Sequence, residues 1–260
     1  MNREQILALP SMPAVGSSYP KGPYRFINRE YMIVTYESDP AAIRAILPEP
    51  LQPAPNNLIS YEFMKMPDSS GFGAYSESGV VIPALLNGEE VNFISQMYLD
   101  DEPPISGGRE IWGFPKKFAH PKLEVVHDTL TGTLEYAGQR VAMGTMTYKQ
   151  ENLLTHYNAS DHTSCDPKII TKKLGKKSCN LKLIPHVDGT LAIAQLVSYS
   201  MTDIMVKGAW AGPAQLYLIP HVNAPVADLP VRRIIGGSHF IADMTLPYGK
   251  VEVDYLKEGK

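Results

Sequence analysis

The chain has 260 residues, 44% hydrophobic and 20% charged, with a formal net charge of −3. This composition excludes a fibrous repeat or a disordered chain, and the interspersed charges leave no field for nucleic acid or an anionic membrane. The expected partner is a small molecule, bound by a single domain spanning residues 1–260.

The first residues, MNREQILALPSMP, lack the basic start and apolar core of a secretory leader. No run approaches the roughly 20 apolar residues that cross a bilayer; the richest, Leu183 to Met201, is broken by Pro185, His186, Asp188 and Gly189. Cys165 and Cys179 are too few for a disulfide framework and lack C-x-x-C spacing, which fits a reduced, cytoplasmic location.

Twenty glycines and 22 prolines cut the apolar segments into strand-length pieces, so the chain reads as mainly β. The first strand is expected over Phe26 to Tyr36. A helix follows from Ser38-Asp39-Pro40, where an N-cap oxygen and a proline at the first helical position favour initiation. It should stop before Pro48, burying Ala42, Ile43, Ile46 and Leu47. A second strand is expected over Leu58 to Met66, then a serine-rich turn holding Glu77, then a strand over Val91 to Leu99. Ile105 to about Trp112 suggests a short helix, and Lys122 to His127 another strand. Thr129 to Tyr148 reads as a hairpin in which Gly138 of Ala137-Gly138-Gln139 supplies the positive φ of a tight turn. Gln150 to Ser178 is polar, with five lysines between Lys168 and Lys177, and reads as a solvated excursion. Strands over Asn180 to Pro185, Leu191 to Ser200 and Val251 to Tyr255 complete the pattern.

One segment stands apart. Trp112-Gly113-Phe114-Pro115-Lys116-Lys117-Phe118 sets two ammonium groups among three aromatics and a proline, an unusual surrounding for charge. The other Lys-Lys pairs, Lys172-Lys173 and Lys176-Lys177, lie in the polar excursion. An amine attacks a ketone only when neutral, and an ordinary lysine has a pKa of about 10.4. Lowering it to about 6 costs roughly 6 kcal/mol, at about 1.36 kcal/mol per unit. Burial can shift a lysine by about 3 to 5 units, whereas a second cation about 6 Å away at an effective dielectric of about 20 gives near 2. Adjacent side chains of an extended segment point to opposite faces. Desolvation of Lys116 is therefore the expected main cause, with Lys117 secondary.

Gly108-Arg109-Glu110 followed by Phe114-Pro115-Lys116-Lys117 resembles the signature around the reactive lysine of the acetoacetate decarboxylase family. So do Lys21-Gly22-Pro23-Tyr24 with Asn28-Arg29-Glu30-Tyr31, Tyr75-Ser76-Glu77-Ser78-Gly79, and Met97-Tyr98-Leu99-Asp100 with Glu102-Pro103. Ala209-Trp210-Ala211-Gly212-Pro213 and Ser238-His239-Phe240-Ile241-Ala242-Asp243 follow in order, so the resemblance runs from about Tyr19 to Tyr255 and leaves out only Gln150 to Ser178. It implies a closed antiparallel β-barrel or cone with a few peripheral helices, and a large homo-oligomer. It also implies decarboxylation of acetoacetate to acetone through a Schiff base, with no cofactor beyond the protein's own amine. Lys116 becomes the nucleophile and Lys117 its neighbour, while Arg29, Glu62 and Glu77 become the polar groups of the cavity. Activation beside a second cation comes with the family and is not deduced from these residues. Read on their own terms, Glu62 shares a strand face with Met64 and Met66, where a buried carboxylate needs a partner or a proton, and Arg29 could pair with it. Two other functions stay open: aldol, dehydration or hydration chemistry on a larger keto acid through the same amine, and a noncatalytic barrel that binds an apolar ligand.

Overall fold

The computed structural model describes residues 1–154, 157–158, 163–164 and 167–257. Cys165 and the centre of the polar excursion lie outside them. Two main sheets, a two-stranded one pairing 157–158 with 163–164, and a few short helices make up the described chain, so the mainly β reading holds. The large sheet contains β1 (Tyr24–Glu37), β2 (Leu58–Ser69), β3 (Gly73–Leu86), β4 (Glu89–Leu99), the short β5 (Lys116–Phe118), β9 (Ser178–Pro185), β10 (Leu191–Tyr199), β11 (Thr202–Gly212), β13 (Arg233–Leu246) and β14 (Lys250–Asp254). Its path runs from the two-residue strand 151–152 through β11, β13, β1, β2, β3, β4, β9 and β10 to β14. The second sheet holds β6 (His120–Val126), β7 (Thr129–Tyr136), β8 (Gln139–Thr147) and β12 (Ala214–Leu218).

The closed antiparallel barrel expected above is not what forms. The large sheet is open and mixed, because β5 and β9 both run parallel to β4. The path ends on β14 at one side and on strand 151–152 beside β11 at the other; closure would need these two ends to pair, and they do not. The gap beside β11 is covered instead by a helix, α4 (Pro167–Leu174), packed on β11.

Both faces of the central strands are buried, and they are buried against different things. On β1, Met32, Val34 and Tyr36 face the four-stranded sheet, while Tyr31 and Ile33 face a cavity. On β2, Ile59, Tyr61 and Phe63 share the first face, and Met64 and Met66 the second. This is the period-two alternation of a strand with apolar residues on both sides. Against the four-stranded sheet the fit is close. Gly132 and Gly144 are register partners on β7 and β8, and a Cβ on either would lie 2.3 or 2.7 Å from the Phe63 ring.

The local expectations fare unevenly. After α1 (Arg3–Ala8), helix α2 (Pro40–Ile46) forms where expected, but Asp39 makes no side-chain cap; its carboxylate takes two hydrogen bonds from Arg232 instead. The turn of the β7–β8 hairpin has positive φ at both Ala137 and Gly138, as a two-residue hairpin loop requires. The expected helix from Ile105 becomes α3 (Glu102–Gly107), capped by Asp101 and followed by a π-helical turn over Gly108–Trp112. The stretch around Glu77 is no turn but the middle of β3, held by β2 and β4 on either side. Among the described residues, no helix is long and apolar enough to cross a membrane.

Candidate active site

The cavity face of the large sheet encloses about 330 Å³, within the range of small-molecule sites. Arg29, Glu62, Glu77 and Lys116 all line it; Lys117 does not. The two lysines part because β5 is extended. Lys116, opposite Met97 on β4, turns inward and is only 6% exposed. Lys117 turns outward, where its ammonium donates to the Asn223 carbonyl and lies 5.2 Å from the Tyr136 ring.

The segment leading to Lys116 is pinned from several sides. The π-helical turn ends at Gly113, whose left-handed φ of 72° and proximity to the Lys182 backbone leave no room for a side chain. Trp112 donates its indole N–H to the Pro247 carbonyl, and its own carbonyl accepts from Asn180. Arg109 donates to the Lys116 carbonyl at 3.1 Å. Gly108 lies directly beside the Lys116 side chain: a Cβ there would be 2.8 Å from Cδ and 3.2 Å from Nζ. The π turn thus supplies a bare backbone surface on which the lysine lies, in keeping with the habit of π-helical turns to occur at functional sites.

Glu77 reaches Lys116 from β3, with Oε1 2.9 Å from Nζ. The angle falls outside that of a formed hydrogen bond, so the contact is chiefly ionic. The other carboxylate oxygen is 3.7 Å from Nη2 of Arg29. Arg29 owes its direction to a β-bulge: Asn28 takes a φ of 54°, its N–H donates to Asp243, and the register with β13 shifts between Phe26 and Arg29. The guanidinium then lies 5.1 Å from the Phe26 ring and 4.7 Å from Tyr31, with Nη2 3.1 Å from the Met64 sulfur. The anticipated Arg29–Glu62 ion pair is absent, and Arg29 pairs with Glu77.

These surroundings set the charges. Burial is the largest influence on Lys116 and holds its pKa below the ordinary lysine value; Glu77 pulls it back up, and Arg29 pushes it down. The second cation in the balance is therefore Arg29, from across the sheet. Phe114 and Tyr75 complete the shell, their rings 5.1 and 5.8 Å from Nζ. Glu62 lies further along the cavity and forms no ion pair among the described residues. Burial pushes its carboxyl up to about 7, against the pull of Arg29 and Lys173.

Sequence reasoning missed Tyr75, Tyr199 and Lys173. Lys173 had been assigned to a solvated face, yet its ammonium lies 5.6 Å from the buried Phe240 ring and it lines the cavity. The signal was present: Ile170, Lys173 and Leu174 sit three and four residues apart, one face of a helix, and Ile170 is buried.

An enclosed amine whose pKa burial holds below the ordinary lysine value, touching a carboxylate and walled by aromatics, is the site of a protein suited to amine chemistry on a carbonyl compound. Comparisons with known proteins agree. The acetoacetate decarboxylase (ADC) family profile matches residues 8–256, and the chain belongs to that family. It is 54% identical over 246 residues to the acetoacetate decarboxylase of Acidiphilium cryptum, covering 95% of each chain, and 50% identical over 248 residues to that of Chromobacterium violaceum, covering 95% of this chain and 96% of the other. The crystal structure of acetoacetate decarboxylase from Legionella pneumophila superposes with a TM-score of 0.87 at 47% identity, covering 96% of this chain and 94% of that one.

Proposed function

We propose that the protein is a carboxy-lyase that decarboxylates acetoacetate, a 3-keto acid, to acetone and carbon dioxide through a Schiff base on Lys116. The observation that carries this reading is the Lys116 ammonium, buried in the wall of the cavity, lowered in pKa and 2.9 Å from Glu77. The names of relatives about 50% identical over nearly the whole chain support it.

The chemistry balances with the protein's own groups. Neutral Lys116 adds to the ketone, and water leaves to give an iminium. The bond between the carboxylate carbon and C2 then breaks, and its electron pair passes through C2 and C3 to the iminium nitrogen, releasing carbon dioxide and an enamine. A proton on the enamine carbon restores the iminium, and water hydrolyses it to acetone and free Lys116. Glu77, touching Nζ, is the group to carry protons to and from the amine. Arg29 partners the Glu77 carboxylate and orients the acid. Glu62, with its carboxyl at about 7, can take or give a proton near neutrality. Lys117 serves outside the cavity.

A lowered lysine pKa counts against the noncatalytic reading, which requires an ordinary one. A cytoplasmic homo-oligomer belongs to the same proposal. Its support is the outer face of the four-stranded sheet, where Met143 and Tyr217 are register partners and both exposed, with Val126 exposed on the same face; light scattering after size exclusion tests it. The chemistry is tested by borohydride reduction in the presence of acetoacetate, followed by peptide mass spectrometry. The expected product is an isopropyl group on Lys116. An adduct there that always keeps its carboxylate would favour aldolase-like chemistry, and no adduct on any lysine would end the covalent mechanism.

A further inference from the structure

The cavity is longer than its reacting end. Strand register arranges its floor in rows: Tyr31, Met64 and Glu77 in the innermost, Ile33, Glu62 and Gly79 in the next, Thr35, Ser60 and Val81 beyond. Lys116 pairs through Met97 on the row of Gly79, and its side chain reaches inward to Glu77. The outermost wall includes Asn56, which is exposed, so the cavity opens at that end. Lys173 lines the cavity from α4, its ammonium beside Phe240, the β13 partner of Tyr31, and it faces the Glu62 carboxyl electrostatically. The residue is exposed as a whole, with its ammonium 5.6 Å from the Phe240 ring. It forms no ion pair among the described residues, unlike its neighbours Lys176 and Lys177, which are tied to Glu90 and Glu89 at 2.9 Å.

A cation that lines the cavity with no ion pair among the described residues has a specific use for an enzyme of this reaction. At the inner end the charge of Arg29 is already shared with Glu77. A substrate carboxylate must also shed its charge as carbon dioxide leaves, which a tight ion pair at that point would oppose. A cation that attracts the acid is best placed one step outward, where it aids capture without holding the leaving group. We infer that Lys173 is a substrate-recruiting residue, whose ammonium binds the carboxylate of an incoming 3-keto acid at the cavity entrance before the ketone reaches Lys116. This rests on the decarboxylase reading above.

The test compares wild type, Lys173→Met and Lys173→Arg. For acetoacetate, Lys173→Met is expected to raise KM about tenfold while kcat stays within about twofold, and Lys173→Arg to restore most of the affinity. Methyl acetoacetate, which offers the same ketone without the charge, is followed by borohydride trapping on Lys116 as a function of its concentration. Its half-saturation should be equal in all three proteins. An unchanged KM for acetoacetate in Lys173→Met, or an equal loss toward the neutral ester, would overturn the recruiting role. A wild-type protein that forms no Lys116 adduct would overturn the decarboxylase reading beneath it, so the two failures differ.

Discussion

Lys116 and Lys117 are neighbours in sequence and opposites in circumstance. One ends in a closed aromatic shell beside a carboxylate and an arginine; the other rests on a backbone carbonyl and a tyrosine ring at the surface. The same contrast holds for the two faces of the large sheet. The face toward the four-stranded sheet is filled by apolar side chains pressed onto glycines, whereas the cavity face carries Glu62, Glu77 and Arg29. Neighbouring positions of one strand, a single residue apart, thus face packed side chains or the cavity. Where side chains meet side chains, packing sets the residue; where they meet a cavity, chemistry does.

Substitutions can break this contrast. Lys116→Met should abolish turnover, a loss of at least on the order of 10⁴-fold in kcat, with thermal stability retained; a steady-state assay of carbon dioxide release checks it. Gly108→Ala should cost about 10²-fold, because the new methyl displaces the amine from its contact with Glu77, and misplacement of about 1 Å has that effect. On the other face, Gly132→Ala drives a Cβ into the Phe63 ring and should destabilise by about 1 to 3 kcal/mol in denaturant unfolding, while kcat of the folded fraction is kept.

Two further changes sharpen the contrast by sign. Glu77 raises the Lys116 pKa and Arg29 lowers it. The rate of borohydride trapping climbs with pH as the amine loses its proton, so Glu77→Gln should shift the climb to lower pH and Arg29→Met to higher pH. A shift in the same direction for both would mean that the charges around Lys116 are not balanced as described. The smallest effect belongs to Lys117→Met, for which kcat and the trapping profile should stay within about twofold of wild type.

The strands and helix rich in β-branched residues, capping signals or turn pairs were legible in the sequence, and so was Lys116, conspicuous as a charge among Trp112, Phe114 and Phe118. The strand carrying Glu77 was not, because its serines and glycines resemble a turn and Pro83 interrupts its apolar run. Pro83 is tolerated there in pairing with Asn92. Closure of the sheet was not legible either: it depends on whether the two end strands, β14 and strand 151–152 beside β11, meet, and that pairing is non-local. The orientation of Arg29 depends on a bulge whose partner, Asp243, lies more than 200 residues away. Lys173 was hidden by its company, since four other lysines around it made a solvated surface the natural reading.

The open sheet has a consequence for how such a molecule can be altered. The groups nearest the reacting amine are anchored in hydrogen-bonded strands, where a changed register would disturb the whole lattice of pairs. The wall that covers the gap is a single eight-residue helix, joined to the sheet by side-chain packing and by the lysines that follow it. Such a wall can be exchanged like a cartridge. New helices grafted between residues 167 and 174 would vary which acids are admitted while leaving the chemistry in place, and selection on natural populations would meet the same freedom.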